Sequence, residues 1–110
     1  MATLTKQTID RDGLEATYAS CASGGDEFLN TGDEFIHIVN GAGVEQTVTI
    51  VTQATVDSQA VADRSVAIPA GEERFIGPFA TSTYNDANGK VQLTYDAVVS
   101  LTIAILEPGS

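Results

Sequence analysis

Apolar and polar residues alternate one by one over much of this chain, the period-two signature of strands with one face in a core. In KVQLTYD (90–96), Val91, Leu93 and Tyr95 share one face while Gln92, Thr94 and Asp96 share the other. VSLTIAIL (99–106) repeats the pattern, with Val99, Leu101, Ile103 and Ile105 opposed to Ser100, Thr102 and Ala104. QTVTIVT (46–52) sets Val48 and Ile50 against Thr47 and Thr49, using β-branched residues that suit a pleated surface. EFIHIVN (34–40) departs from the rule, because Phe35 and Val39 alternate with Ile36 and Ile38 and both faces are apolar. That strand is expected to be covered twice, by the core and by a loop or a partner subunit.

Turn residues separate the runs: NGAG at 40–43, PAGEE at 69–73, Gly77-Pro78, and NDANGK at 85–90, where Asn88 and Gly89 both tolerate positive φ. DGLEATYA (12–19) predicts a short helical turn capped by Asp12. Together these elements predict an all-β chain: a single domain over residues 1–110, built as an antiparallel β-sandwich or jelly roll of about seven to eight short strands. Residues 1–9 are expected to form an N-terminal arm or edge strand. The letters GDEF occur at 25–28 and again at 32–35, a spacing that predicts two neighbouring strands about the turn at Asn30, Thr31 and Gly32.

Composition narrows the function. At 110 residues and 43% hydrophobic, the chain suffices for one core. Fifteen acidic residues against five basic ones give a net charge of −10, which repels phosphate backbones and argues against a nucleic-acid partner. Cys21 is the single cysteine, so neither an intramolecular disulfide nor a cysteine–histidine zinc cluster is available. The longest apolar run, LTIAIL, is far too short to cross a bilayer. MATLTKQTIDRDG lacks the basic segment and apolar stretch of a secretory signal. The expectation is a soluble protein made in the cytoplasm, with no membrane partner.

Candidate chemistry is sparse. Gly24 to Phe28 spell GGDEF, the signature loop of diguanylate cyclases, in which carboxylates help to manage metal ions. Those enzymes resemble an α/β scaffold longer than this chain, and no amphipathic helix follows the motif here. The letters are therefore read as a Gly-Gly turn, two solvated acids, and Phe28 entering the core. DRDG (10–13) and DANG (86–89) look like fragments of calcium loops but lack the ligand spacing, and are read as surface turns. His37, the only histidine, has no partner for a triad or metal site and is assigned a structural or interface role. Cys21, with no cation near it in sequence, is read as a small buried or half-buried thiol. Seven acids against one arginine between Asp10 and Glu34 read as a solvated face. Catalytic, cofactor-binding and metal-binding residues are all set at none, and the chain is expected not to be an enzyme.

Two longer runs, FLNTGDEFIHIVNG (28–41) and VAIPAGEERFIGPF (66–79), resemble small capsid-associated structural proteins of tailed bacteriophages, over roughly residues 13–105. The resemblance implies a head decoration, or cement, protein: a β-sandwich unit, often trimeric, that sits outside the expanded capsid between capsomers and stabilises the shell. It implies the major capsid protein and further copies of the chain as partners, a place on the virion surface, and no cofactor. Subunit contacts are then expected on the apolar strand around Phe35, His37 and Val39. Capsid contacts are expected from loops and the segment containing Leu4, Lys6 and Ile9. The scarce cations Arg11, Arg64 and Arg74, with Lys6 and Lys90, are the candidates for specific ion pairs. The alternatives are a carbohydrate-binding β-sandwich, disfavoured by the lack of Trp and the presence of only Tyr18, Tyr84 and Tyr95, and a head–tail connector or tail component.

Overall fold

The structure, a computed structural model, describes residues 2–10, 12–53, 55–56, 59–60 and 63–108. Its strands, in chain order, begin with β1 (Ala2–Leu4), β2 (Lys6–Thr8), β3 (Ala19–Ser20), β4 (Asp26–Leu29), β5 (Phe35–Asn40) and β6 (Gln46–Ile50). They continue with β7 (Thr55–Val56), β8 (Gln59–Ala60), β9 (Arg64–Ile68), β10 (Glu73–Ile76), β11 (Lys90–Tyr95) and β12 (Leu101–Glu107). One helical turn, α1 (Thr81–Tyr84), separates β10 from β11. Ten of the strands form two five-strand mixed sheets packed as a sandwich: sheet A in the order β1-β4-β11-β6-β9, and sheet B in the order β10-β5-β12-β2, with β3 also on β12. β7 and β8 pair with each other.

The predicted alternation is visible in the registers. Phe28 lies opposite Val91, Leu93 opposite Ile50, and Val48 opposite Val66, all on the inner face of sheet A. Ile36 and Ile38 lie opposite Ile105 and Ile103 on the inner face of sheet B. These side chains, with Leu101, Ile68 and Phe79, make the core, all of them buried except Val66, which packs against it partly exposed. Two buried asparagines close the ends of the sandwich. Asn30 donates to the Phe79 carbonyl (3.0 Å) and to Asn85 Oδ1 (2.8 Å), and Asn40 donates to the carbonyls of Val44 and Ile68 (both 2.9 Å).

Several expectations need correction. The sheets are mixed rather than antiparallel, because β1 runs parallel to β4 and β2 parallel to β12. The chain thus passes from sheet A to sheet B at Thr5, and residues 2–8 bind one side of both sheets. Strands of two or three residues such as β1 to β3 are too short to show a period, which is why the sequence count falls below ten. The helical turn expected at 12–19 is absent. Asp10 Oδ1 instead accepts the Asp12 amide (2.9 Å), and the Gln7 side chain holds both backbone groups of Thr17 (2.7 and 2.8 Å), satisfying groups a helix would need. Val99 is exposed and outside β12, because Ser100 adopts φ +49° and the chain turns there. The two GDEF copies are not on neighbouring strands: the first forms β4 in sheet A, and the second leads into β5 in sheet B.

Candidate functional site

The outer faces of the two sheets differ in chemistry. On sheet A, Glu27 accepts from Thr3 (2.8 Å), Gln92 (3.0 Å) and Lys90 (3.1 Å), and Thr49 meets Ser65 (3.2 Å), so that face is polar and hydrated. On sheet B the outward positions are Phe35, His37 and Val39 on β5, Phe75 and Glu73 on β10, and Ala104 and Leu106 on β12. Antiparallel register sets Phe75 directly opposite His37. The two rings stack, with centroids 4.1 Å apart and planes within 7°, and Phe35 tilts against Phe75 at 6.1 Å.

His37 organises this face. Its Nδ1 bonds the Tyr18 hydroxyl, and its Nε2 lies 3.1 Å from Glu73 Oε1, near enough for an ion pair when the ring is protonated yet out of line for a hydrogen bond. The segment carrying Tyr18 lies over part of the sheet, where Leu14, Ala16, Ile9 and Leu106 surround a hollow of about 290 Å³ that also touches Phe35, His37 and Phe75. Beyond Phe75, which remains 63% exposed, the face opens into a second groove of about 350 Å³ between Phe35, Pro78, Pro108 and Asp33. The face is therefore an aromatic strip with the Tyr18 segment beside one end and a groove at the other, both hollows open to the surface. Exposed apolar surface of this kind marks interaction sites in soluble proteins.

Of the residues singled out in the sequence, Phe35, His37 and Ile9 meet around the hollow beside Tyr18, and Val39 continues their face along β5. Leu4 packs against the core from β1. Lys6 is held within the chain, 2.9 Å from Glu34 and 3.0 Å from Glu107, and Arg74 lies 3.2 Å from Glu72. Lys90 pairs with Glu27. Arg64 is exposed on β9, and its side chain has no hydrogen-bond or ion-pair partner among the described residues. Arg11 lies outside the described residues. Phe75, Tyr18 and Asp33 were missed. The signal for Phe75 was its place in ERFI, a short run whose outward residue faces His37 once β10 and β5 pair.

The GGDEF letters serve the fold. Gly25 has φ +97°, and a Cβ there would sit 2.5 Å from the Leu93 carbonyl oxygen, so the tight approach of this turn to β11 requires glycine. Asp26, expected to be solvated, is instead fully buried, because its carboxylate accepts from the Tyr95 hydroxyl (2.7 Å) and the Ala22 amide (3.2 Å). Burial and the bond to Asp26 push the Tyr95 hydroxyl pKa up. Burial likewise pushes the neighbouring Cys21 thiol up to about 12, so it is protonated and a poor nucleophile. In DRDG and DANG, Asp10 and Asp86 each accept the amide two residues on (2.9 and 2.8 Å), closing turns. Among the described residues no group of three or more His, Cys, Asp or Glu side chains is arranged to hold a metal ion, and no helix is long and apolar enough to cross a membrane.

Glu34, beside this face, is fully buried and inward-pointing. Its carboxylate accepts from the Thr31 amide (2.7 Å), the Thr31 hydroxyl and the Lys6 ammonium. Burial alone raises its pKa, but these donors outweigh burial and hold it at about 2. The result is a rigid anchor one residue from the exposed Asp33 and the half-buried Phe35. Comparison with protein families, curated proteins and solved structures gives no match to this chain.

Proposed function

We propose that this chain is a non-enzymatic structural protein that binds the outside of an expanded bacteriophage capsid between capsomers and stabilises the shell. The observation that carries the reading is the outer face of β5, expected from the sequence to make subunit contacts and assigned here to the capsid because Leu4 and Lys6 are engaged within the molecule: Phe35, His37 and Val39 continue into an exposed Phe75 while the opposite sheet is polar. Two features from the sequence accompany it: the resemblance of residues 28–41 and 66–79 to capsid-associated proteins, and the net charge of −10, which suits a surface away from packaged DNA. The partners are the major capsid protein and other copies of this chain, as a homotrimer on the head of the virion, after synthesis in the host cytoplasm. No cofactor, nucleic acid or membrane takes part.

The mechanism is mass action. A molecule that binds the expanded lattice and not the unexpanded one stabilises the expanded state by RT ln(1 + [L]/Kd), summed over its sites. The test is cosedimentation of the purified protein with expanded and unexpanded heads assembled without it. Saturable binding to expanded heads alone, with a higher temperature of shell disruption, is expected; binding to neither form contradicts the reading.

A further inference from the structure

The groove at the end of the aromatic strip contains one carboxyl group among apolar walls. Phe35, Phe75, Pro78 and Pro108 form those walls, and Asp33 stands at the rim. Asp33 is exposed and has no hydrogen-bond or ion-pair partner among the described residues, unlike Glu34 next to it. β10, which supplies Phe75, is the last strand of sheet B, so its outer edge has no strand partner among the described residues.

An unpaired carboxylate beside two phenyl rings favours one kind of side chain. A guanidinium group stacks flat on an aromatic face, forks onto a carboxylate, and brings three methylenes that cover apolar wall. A second copy of this chain is a poor donor of that group. It brings a further charge of −10, and of its described arginines Arg74 is already paired internally, which leaves Arg64 as the exposed guanidinium such a copy could offer against that repulsion. Extended chains suit the site because alternate residues of an added strand can face the groove while its backbone meets the free edge of β10.

We propose, resting on the docking reading above, that the Asp33–Phe75 groove receives an extended, arginine-bearing segment of the partner protein. The arginine lies over Phe35 and Phe75 with its head on Asp33. The overall negative charge steers the basic segment toward the protein, and the groove selects where it lands.

The test is a titration of the full-length, isotope-labelled protein with a capped peptide of alternating Arg and Val, followed by amide chemical shifts. The same peptide with Glu in place of Arg is the control. Shifts concentrated at Gly32, Asp33, Phe75 and Gly77 are expected with the arginine peptide only. Asp33→Asn is expected to weaken binding about tenfold at physiological salt, and Phe75→Ala similarly, while Asp12→Asn changes it less than about twofold. Both Asp33 and Phe75 are exposed, so these variants are expected to fold, with the unfolding midpoint as the check. Equal weakening by Asp33→Asn and Asp12→Asn overturns the proposal, since attraction would then be general. So do shifts at the groove produced by a neutral oligosaccharide, or by raising the protein concentration without peptide. Retained peptide binding in a protein that ignores expanded heads defeats the capsid reading and leaves the groove assignment standing; head binding unaffected by Asp33→Asn does the reverse.

Discussion

Residues 25–28 and residues 32–35 carry the same four letters, Gly-Asp-Glu-Phe, and the fold turns them to opposite faces. In the first copy Asp26 and Phe28 are fully buried on the inner face of sheet A, while Glu27 reaches the hydrated surface and pairs with Lys90. In the second copy Glu34 is the buried residue, paired with Lys6, while Asp33 is exposed and Phe35 lies on the outer strip of sheet B. The difference arises between the copies, where Asn30 and Thr31 lead the chain from one sheet to the other and reset which parity faces the core. One copy builds the core. The other anchors a surface strip through its buried glutamate and leaves its aromatic and aspartate on the outer surface.

The contrast can be broken most strongly at the phenylalanines. Phe28→Ala removes a fully buried ring and is expected to cost about 3–5 kcal/mol in chemical denaturation, whereas Phe35→Ala costs about 1 kcal/mol. The glycines come next. Gly25→Ala places a Cβ against the Leu93 carbonyl and is expected to cost about 3 kcal/mol, while at Gly32 the nearest neighbour is the Thr81 Cγ2 at 3.8 Å. Gly32 also has positive φ, so Gly32→Ala still costs about 1 kcal/mol, measured in the same way.

The two ion pairs sharpen the comparison further. Lys6→Met strands the buried Glu34 carboxylate and is expected to lower stability by about 2–3 kcal/mol. Lys90→Met removes the partner of the more accessible Glu27 and costs less than about 1 kcal/mol. Acid reads the same buried carboxylate in a different way. Glu34 is held below its ordinary carboxylate value, so its contribution is fully present above about pH 4.5 and is lost as pH falls toward about 2. Thermal unfolding of Glu34→Gln across that window is expected to fall less steeply with acid than the wild type.

Much of the framework was legible. Where a strand is five or more residues long and one face is polar, as in β6 and β11, the period placed Val48, Ile50, Val91, Leu93 and Tyr95 inward as found, while the buried Gln46 on the same parity carried no apolar mark. The double apolarity of β5 marked a strand covered on one side by core and on the other by the Tyr18 segment, and the same excess of apolar residues locates the candidate face. Three features lay beyond local pattern. The parallel pairings of β1 and β2 depend on contacts with β4 and β12, far along the chain, and nothing within ATL or KQT records them. The missing helix at 12–19 reflects Gln7 capturing Thr17, a contact between residues ten apart. Lys6 gave no sign that Glu34 and Glu107 would hold it inside the molecule, since an isolated cation in sequence carries no address.

The most direct test of the division between a building face and a working face is head binding by Phe75→Ala, measured by cosedimentation with expanded heads beside its unfolding midpoint. The account predicts that this variant unfolds within about 1 kcal/mol of the wild type and loses most of its binding. Undiminished binding would contradict it and remove the aromatic strip of sheet B as the contact surface.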